Sequence, residues 1–198
     1  MRFFVGITGA SGAPYAARLL DGLRDAGAEI GVCASSSAGE VIAYEIYRDR
    51  ALDPADAVRR LVDEHGGPNA TLYAERDWFS PYASGSARCD GYVICPCSMA
   101  TIGTIASSGQ ANLIHRAAGV ALKEDRRLVL VPRETPLSLI HLENLTSLAR
   151  AGATILPAMP SFYGKPTSLQ QALDSVVGRV LDHVGVEHDL SHRWGETA

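Results

Sequence analysis

The chain has 198 residues, of which 46% are hydrophobic and 20% charged, an ordinary composition for a globular protein. Its formal net charge of −4 excludes the basic surface that nucleic-acid binding requires. No apolar run approaches the roughly 20 residues that span a bilayer, and glycines interrupt the apolar N-terminus before a signal sequence forms, so we expect a cytoplasmic protein with no membrane or nucleic-acid partner.

Short apolar runs alternate with helical patterns along the chain. The first part predicts strands at Arg2–Ile7 and 30–34, and a helix at 13–26 that Gly27 ends. The helical pattern is weaker at 38–47 and 54–64, and a glycine-rich cluster then breaks it. The second part predicts strands at 91–95, 128–131 and 153–156, and helices at 99–107, 113–123, 136–151 and 169–184. The helix that begins at Pro136 has Leu137, Ile140, Leu145 and Leu148 as its expected apolar stripe.

Strands that alternate with helices are typical of a parallel sheet wrapped by helices. We therefore predict an α/β fold, a Rossmann/flavodoxin-like three-layer sandwich with a central parallel sheet, in a single domain over residues 1–198. Ligands of such sheets bind at the carboxyl ends of the strands.

A glycine-rich segment, residues 6–12, lies at the first of these carboxyl ends. Its glycines allow the backbone to approach a ligand closely, and the helix that follows offers unpaired N–H groups to an anion. The spacing matches neither the dinucleotide fingerprint nor the Walker loop. The segment therefore favours phosphate or nucleotide binding over a simple tight turn.

Three further segments at predicted strand ends each leave two interpretations open. Ser98 is either an N-cap or part of a second anion or flavin-edge site. Arg133 and Glu134 form either a salt bridge of little energetic value or an acid–base group at a cleft. Residues 160–166 are either a packed turn or a rigid aromatic wall beside a phosphate-binding cation.

Four cysteines are present, but they lack the paired spacing of a zinc site. We expect reduced thiols and no metal at Cys33, Cys89, Cys95 and Cys97.

Several motifs together cover nearly the whole chain, from about residue 3 to Trp194. They are Gly9-Ala10-Ser11-Gly12, Asp77-Trp78, Ala83-Ser84-Gly85-Ser86, Pro96-Cys97-Ser98-Met99-x-Thr101, Asn112-Leu113-Ile114-x-Arg116-Ala117-Ala118, Leu122-Lys123-Glu124, Arg133-Glu134-Thr135-Pro136-Leu137, His141-Leu142-x-Asn144 and Phe162-Tyr163-x-x-Pro166. In this combination the chain resembles the flavin prenyltransferases (UbiX/Pad1-like).

The resemblance implies a metal-independent prenyltransferase that binds FMN between neighbouring subunits of a homo-oligomer, usually a dodecamer. It implies transfer of a dimethylallyl group from dimethylallyl monophosphate to N5 and then C6 of reduced FMN. The product, prenylated FMN, would serve a UbiD-type decarboxylase. The tail from about residue 186 to 198 would pack on a neighbouring subunit.

The resemblance also implies residue roles. It assigns FMN binding to Gly9, Ala10, Ser11, Ser35, Ser98, Met99, Ala100, Thr101 and Arg116. It assigns the dimethylallyl phosphate and the prenyl pocket to Lys123, Arg133, Tyr163, Arg179, Trp78 and Trp194. Catalytic roles fall on Ser11, Glu45, Lys123 and Glu134, the last assisting proton movement during ring closure. The chain departs from the usual family residues at Ser36, Ala111 and Gly119, none of which has an assigned chemical role.

Three alternatives compete with these assignments. An FMN-dependent cysteine decarboxylase of the phosphopantothenoylcysteine type needs a histidine on the first helix, and residues 13–26 contain none. A non-catalytic FMN carrier would need the flavin loops but not Lys123, Glu134, Tyr163 and Arg179 together. Judged without the resemblance, Lys123 would only complement a helix dipole and Arg179 would be a solvated helix residue.

Overall fold

The computed structural model describes residues 1–190 and shows one parallel sheet within them. The predicted role of Trp194 falls on residues 191–198, which lie outside the described part. The six strands are β1 (Arg2–Ile7), β2 (Glu29–Ala34), β3 (Ala70–Leu72), β4 (Gly91–Cys97), β5 (Leu128–Pro132) and β6 (Thr154–Ile155). Their order is β3-β2-β1-β4-β5-β6, and every neighbouring pair is parallel. This confirms the predicted central parallel sheet.

Alternate side chains of the central strand β1 enter two separate hydrophobic clusters. Phe3, Val5 and Ile7 belong to one cluster and Phe4 to the other, and all four are at most 1% exposed. Successive side chains of a strand point to opposite faces, so the sheet is covered on both sides. The three-layer arrangement is therefore confirmed.

Within the described residues 1–190, seven α-helices supply the outer layers. They are α1 (Ala13–Asp25), α2 (Ser36–Glu45), α3 (Pro54–Leu61), α4 (Met99–Ala106), α5 (Leu113–Lys123), α6 (Leu139–Arg150) and α7 (Leu169–Val184). Buried residues of α1, α2, α3 and α7 join the cluster of Phe3, whereas those of α4, α5 and α6 join the cluster of Phe4. Within residues 1–190, none of the helices combines the length and the hydrophobicity that a membrane span requires.

Several predicted bounds differ from the structure by up to about three residues, and two differences matter for the layout of the fold. The edge strand β3 was not predicted, because a strand of three mostly exposed residues carries no hydrophobic period. Helix α6 begins at Leu139, capped by Ser138, and not at Pro136. Of its predicted stripe, Leu148 is 2% exposed but Ile140 is 68% exposed, because only the C-terminal half of α6 reaches the core.

Candidate functional site

The carboxyl ends of β1 and β4 lie side by side at the centre of the sheet. From here the chain continues into α1 on one face and into α4 on the other. This divergence opens a crevice, the usual ligand site of an open α/β sheet. The glycine-rich segment and Ser98 both lie at this edge, as the sequence predicted.

Thr8 joins the two strand ends, a role that the sequence analysis missed. Its side chain is 2% exposed, and its hydroxyl donates to the Pro96 carbonyl at 2.9 Å. The same hydroxyl accepts from the Ser98 N–H at 2.7 Å, and the Thr8 N–H also donates to the Pro96 carbonyl at 3.2 Å. A polar residue directly after a buried strand was the only available signal for this link.

Changing Thr8 to valine keeps the shape but removes the hydroxyl. We expect a loss of about 1–3 kcal/mol in the free energy of unfolding, because the Ser98 N–H loses its acceptor. Chemical denaturation of Thr8→Val and Thr8→Ser measures this loss. If the serine variant, which keeps the hydroxyl, were equally destabilised, methyl packing and not the hydrogen bonds would hold the two strand ends.

The loop at Gly9 packs tightly against the start of α2. A Cβ at Gly9 would collide with the Ser37 side chain and lie 2.7 Å from Ser37 Cβ. Ser35 caps α2, since its hydroxyl accepts from the Ala38 N–H at 3.2 Å, and it also lies 3.1 Å from the Ser37 hydroxyl. The absence of a side chain at Gly9 therefore allows the N-terminus of α2 to approach the end of β1. Ser37 was not among the predicted site residues.

The N-terminus of α1 has its own carboxylate. Glu45, from the end of α2, accepts from the N–H groups of Gly12 and Ala13, each at 2.9 Å. Gly12 has a φ of 129°, which favours glycine, and no side chain of its own to cap the helix. The expectation that this helix N-terminus offers unpaired N–H groups to an anion is therefore wrong for these two groups. The predicted catalytic Glu45 does lie at the glycine-rich loop.

Replacing Glu45 by alanine should destabilise the protein, because two N–H groups lose their acceptor and the helix dipole loses a negative charge. The expected loss is about 1–2 kcal/mol of unfolding free energy. Glu40, exposed on the same helix, provides the matched control, and Glu40→Ala should change stability by less than about 0.5 kcal/mol. Equal denaturation midpoints for the two variants would contradict the capping role.

Ser98 is the N-cap of α4, which confirms the first of its two interpretations. Its hydroxyl accepts from the Thr101 N–H at 3.3 Å and donates to the Thr101 hydroxyl at 3.1 Å. Met99 and Thr101 are each 7% exposed, whereas Ala100 is exposed. The N-terminus of α4 lies at the crevice, where a ligand could contact it. Flavin binding at this segment therefore stays a prediction.

Arg133 and Glu134 follow β5 at the same edge of the sheet, and both are exposed. Among residues 1–190 no salt bridge joins them, and Glu134 instead accepts from the Thr135 N–H at 3.0 Å. Burial raises the pKa of Tyr15, and the nearby charge of Arg133 opposes that rise. Tyr15 in turn lies beside Gly12, where a Cβ would be 3.1 Å from its ring. Arg133 therefore lies on the same side of the sheet as the glycine-rich loop.

Three other predicted residues surround this edge. Arg116, on the first turn of α5, donates to the Ala83 carbonyl at 2.8 Å and to Gln110 at 2.9 Å. Trp78, after β3, and Tyr163, after β6, are 45% and 82% exposed. The exposure of these two aromatic side chains means that one subunit by itself does not enclose a prenyl pocket around them.

Lys123 and Arg179 lie toward the opposite edge of the sheet. Lys123 ends α5 shortly before β5 begins, and its ammonium is 2.6 Å from Glu124. Arg179 lies two residues before Leu181, which packs against Gly22 near the C-terminal end of α1. The glycine-rich loop is at the other end of α1. Within one subunit, the structure therefore does not bring these two cations to the crevice.

The buried thiols of β4 are unsuited to nucleophilic or ligand roles. Cys95 and Cys97 are at most 1% exposed, and burial raises the pKa of both thiols. All four cysteines are free. Among residues 1–190, no group of three histidine, cysteine or acidic side chains is arranged to hold a metal ion.

This chain is similar over nearly its whole length to proteins of one family. The Flavoprotein family model matches residues 1–183. A flavin prenyltransferase UbiX from Pseudomonas aeruginosa is 46% identical over 200 aligned residues, covering 98% of this chain and 94% of the relative. A crystal structure of AnUbiX (PadA1) in complex with FMN and dimethylallyl pyrophosphate superimposes with a TM-score of 0.87 at 40% identity, covering 100% of this chain and 98% of the other.

A second similar structure is a dodecamer. It is the FMN-dependent UbiX-like decarboxylase from Escherichia coli O157:H7, with a TM-score of 0.87, 40% identity and coverage of 99% of this chain and 100% of the other. By contrast, a PPC decarboxylase mutant in complex with pantothenoylaminoethenethiol is 19% identical with a TM-score of 0.56, which shows a shared fold alone. The comparisons therefore support a shared fold with the PPC decarboxylase, but they do not support cysteine decarboxylase activity.

Proposed function

The chain belongs to the flavoproteins and, among them, to the flavin prenyltransferases, and from this premise we propose that it transfers a dimethylallyl group from dimethylallyl monophosphate to N5 and C6 of reduced FMN. The observation that carries this proposal is the 46% identity with a flavin prenyltransferase over 98% of the chain. The crevice between β1 and β4 supports it, since three helices begin around that edge.

The residues at the crevice fit a flavin nucleotide. The absence of a side chain at Gly9 leaves room at the N-terminus of α2, and Ser98 caps a second helix beside it. Hydroxyl groups and helix N-termini are donors that suit a phosphate and the polar edge of a flavin. FMN would be held by Gly9, Ala10, Ser11, Ser35, Ser98, Met99, Ala100, Thr101 and Arg116. Because Glu45 already occupies the first N–H groups of α1, the phosphate would bind at α2 or α4.

The side chains assigned to the second substrate fit an allylic phosphate. When the phosphate leaves, negative charge develops on its oxygens, and cations at Lys123, Arg133 and Arg179 would stabilise it together with the Tyr163 hydroxyl. The allylic fragment left behind is partly cationic, and aromatic faces such as that of Trp78 would stabilise it. Reduced FMN supplies the nucleophilic nitrogen and carbon, and Glu134 would move the proton released on ring closure.

The residues assigned to the two substrates could form one site only if more than one subunit contributes to it. Glu134 and the flavin loops lie at the carboxyl edge, whereas Lys123 and Arg179 lie toward the opposite edge. We therefore propose that these cations act in the site of a neighbouring subunit. The exposed aromatic residues Trp78 and Tyr163 and the dodecameric state of a 40% identical relative support a site completed between subunits.

The proposed reaction is tested directly by mass spectrometry. The purified protein is incubated anaerobically with reduced FMN and dimethylallyl monophosphate, and the flavin is then extracted. A flavin heavier by one five-carbon unit supports the proposal. A flavin that is bound and released unchanged contradicts it and favours the FMN carrier. Dimethylallyl pyrophosphate, used in parallel, shows which phosphate ester the protein takes.

Mixing two inactive variants tests the shared site. Lys123→Met and Glu134→Gln oligomers are each dissociated, mixed in equal amounts and reassembled. If the two residues come from different subunits, about a quarter of the sites regain both wild-type side chains by random assortment. Activity that stays at the level of the separate variants would mean that one subunit supplies both residues.

The product would be used by a different protein. We propose prenylated FMN as the product and a UbiD-type decarboxylase in the cytoplasm as its recipient. Adding the protein and its two substrates to such a decarboxylase in its flavin-free form should activate it, whereas FMN alone should not.

A further inference from the structure

A buried histidine lies just after the C-terminal end of α7. The His188 side chain is 5% exposed, and both of its ring nitrogens have a partner. The Leu190 N–H donates to His188 Nδ1 at 3.1 Å, and His188 Nε2 lies 3.2 Å from Asp182 Oδ1. A backbone N–H can only donate, so Nδ1 is the acceptor and the ring hydrogen is on Nε2. His188 therefore donates to the carboxylate of Asp182.

The same carboxylate contacts Arg179. Its second oxygen, Oδ2, accepts from Arg179 Nη1 at 2.7 Å, and the two residues are one helical turn apart on α7. The Asp182 side chain is 22% exposed and that of Arg179 is 59% exposed. An exposed pair of this kind is worth little by itself. Here, however, a buried imidazole fixes the rotamer of the carboxylate, so the guanidinium gains a partner with a defined position.

The position of His188 is fixed by the fold. Gly185 ends α7 in the left-handed conformation, and the Val186 N–H donates back to the Leu181 carbonyl at 3.0 Å. Val186 is 3% exposed, and Leu190 packs against the same cluster of core residues. The part of the predicted tail that the structure describes thus packs on its own chain. A chain of contacts runs from this core through His188 and Asp182 to the exposed Arg179.

Resting on the proposed function, we propose that Asp182 and His188 are positioning residues for prenyl transfer, which hold the Arg179 guanidinium in the orientation that binds the phosphate of the allylic substrate. A guanidinium has five N–H donors in a rigid fork. Asp182 accepts from one of them at a defined position, which restricts the guanidinium and leaves its other donors for the phosphate. His188 also binds the Leu190 N–H, which ties this arrangement to the chain immediately before residues 191–198.

The test separates positioning from structural support. In Asp182→Asn and His188→Leu, the KM for dimethylallyl monophosphate should rise about tenfold, while the FMN dissociation constant changes less than twofold. His188→Gln can still donate from an equivalent nitrogen, and it should restore the KM to within about threefold of the wild type. Asp174→Asn is the matched control, because it breaks another aspartate–arginine pair of α7, with Arg18, and should leave the KM unchanged.

A double variant shows whether Asp182 acts through Arg179. Arg179→Met raises the KM, and adding Asp182→Asn should then have no further effect, because the group to be positioned is gone. Additive effects, or a KM unchanged in Asp182→Asn, would overturn the inference. So would a loss of FMN affinity in parallel with the rise in KM, which indicates general structural damage. If Arg179→Met and the wild type both fail to prenylate FMN, the proposed function itself fails.

Discussion

Replacing Lys123 by methionine is expected to lower kcat/KM for prenyl transfer by about 100-fold or more, with FMN binding unchanged. Methionine keeps the length and the apolar stem of lysine but removes the positive charge that would stabilise the departing phosphate. In a site shielded from water, such a contact is far stronger than on an open surface. Steady-state kinetics under anaerobic conditions, with FMN binding measured separately by fluorescence, provide the two values.

The control for this prediction is the neighbouring Glu124. Within one subunit Glu124 is the ion-pair partner of Lys123, and both side chains lie against Gly85. Glu124→Gln removes the ion pair but keeps the lysine charge, so kcat/KM should stay within about threefold of the wild type. A Lys123→Met enzyme as active as the wild type would show that Lys123 only complements the dipole of α5.

Changing Gly9 to alanine is expected to weaken FMN binding by about 100-fold or more. The new Cβ would lie 2.7 Å from Ser37 Cβ, so either the loop or the start of α2 must move. A misplacement of about 1 Å can cost about 100-fold in catalytic rate, and we expect a loss of the same order in FMN affinity here. Isothermal titration with FMN gives the dissociation constant.

Two further variants show whether the collision is the cause. Among residues 1–190, and apart from the backbone of α5 itself, the nearest atom to a new Cβ at Gly119 is 3.8 Å away, so Gly119→Ala should leave FMN binding unchanged. Combining Gly9→Ala with Ser37→Gly removes the colliding side chain and should restore affinity to within about tenfold of the wild type. If the double variant stays as weak as Gly9→Ala alone, the collision with Ser37 is not the reason for the loss.

The fold could be predicted from the sequence because the patterns that define each helix and strand lie within that segment of the chain. Strand β1 and helices α5 and α7 have the predicted bounds, since an apolar period defines such elements within a few residues, and Gly185 also ends α7. The edge strand β3 was not predicted, because it depends on pairing with the distant strand β2. The start of α6 was placed at Pro136 although the capping box of Ser138 and His141 is a local signal in the sequence. The family likewise followed from the order of the motifs, which is a property of the sequence alone.

Only the tertiary structure decided how the site residues are grouped. The hydroxyl of Thr8 meets Pro96 and Ser98, about 90 residues away in sequence, and no local pattern predicts such a pair. Glu45 was predicted to act in catalysis, and the fold shows that its carboxylate also closes the N-terminus of α1. Lys123 and Arg179 were predicted to bind the dimethylallyl phosphate beside the flavin, yet within a subunit they lie toward the opposite edge of the sheet from the flavin loops. The physical reason is that a strand or helix forms through interactions between residues close in sequence. A site forms through contacts between residues that are far apart in sequence and close only in the folded chain.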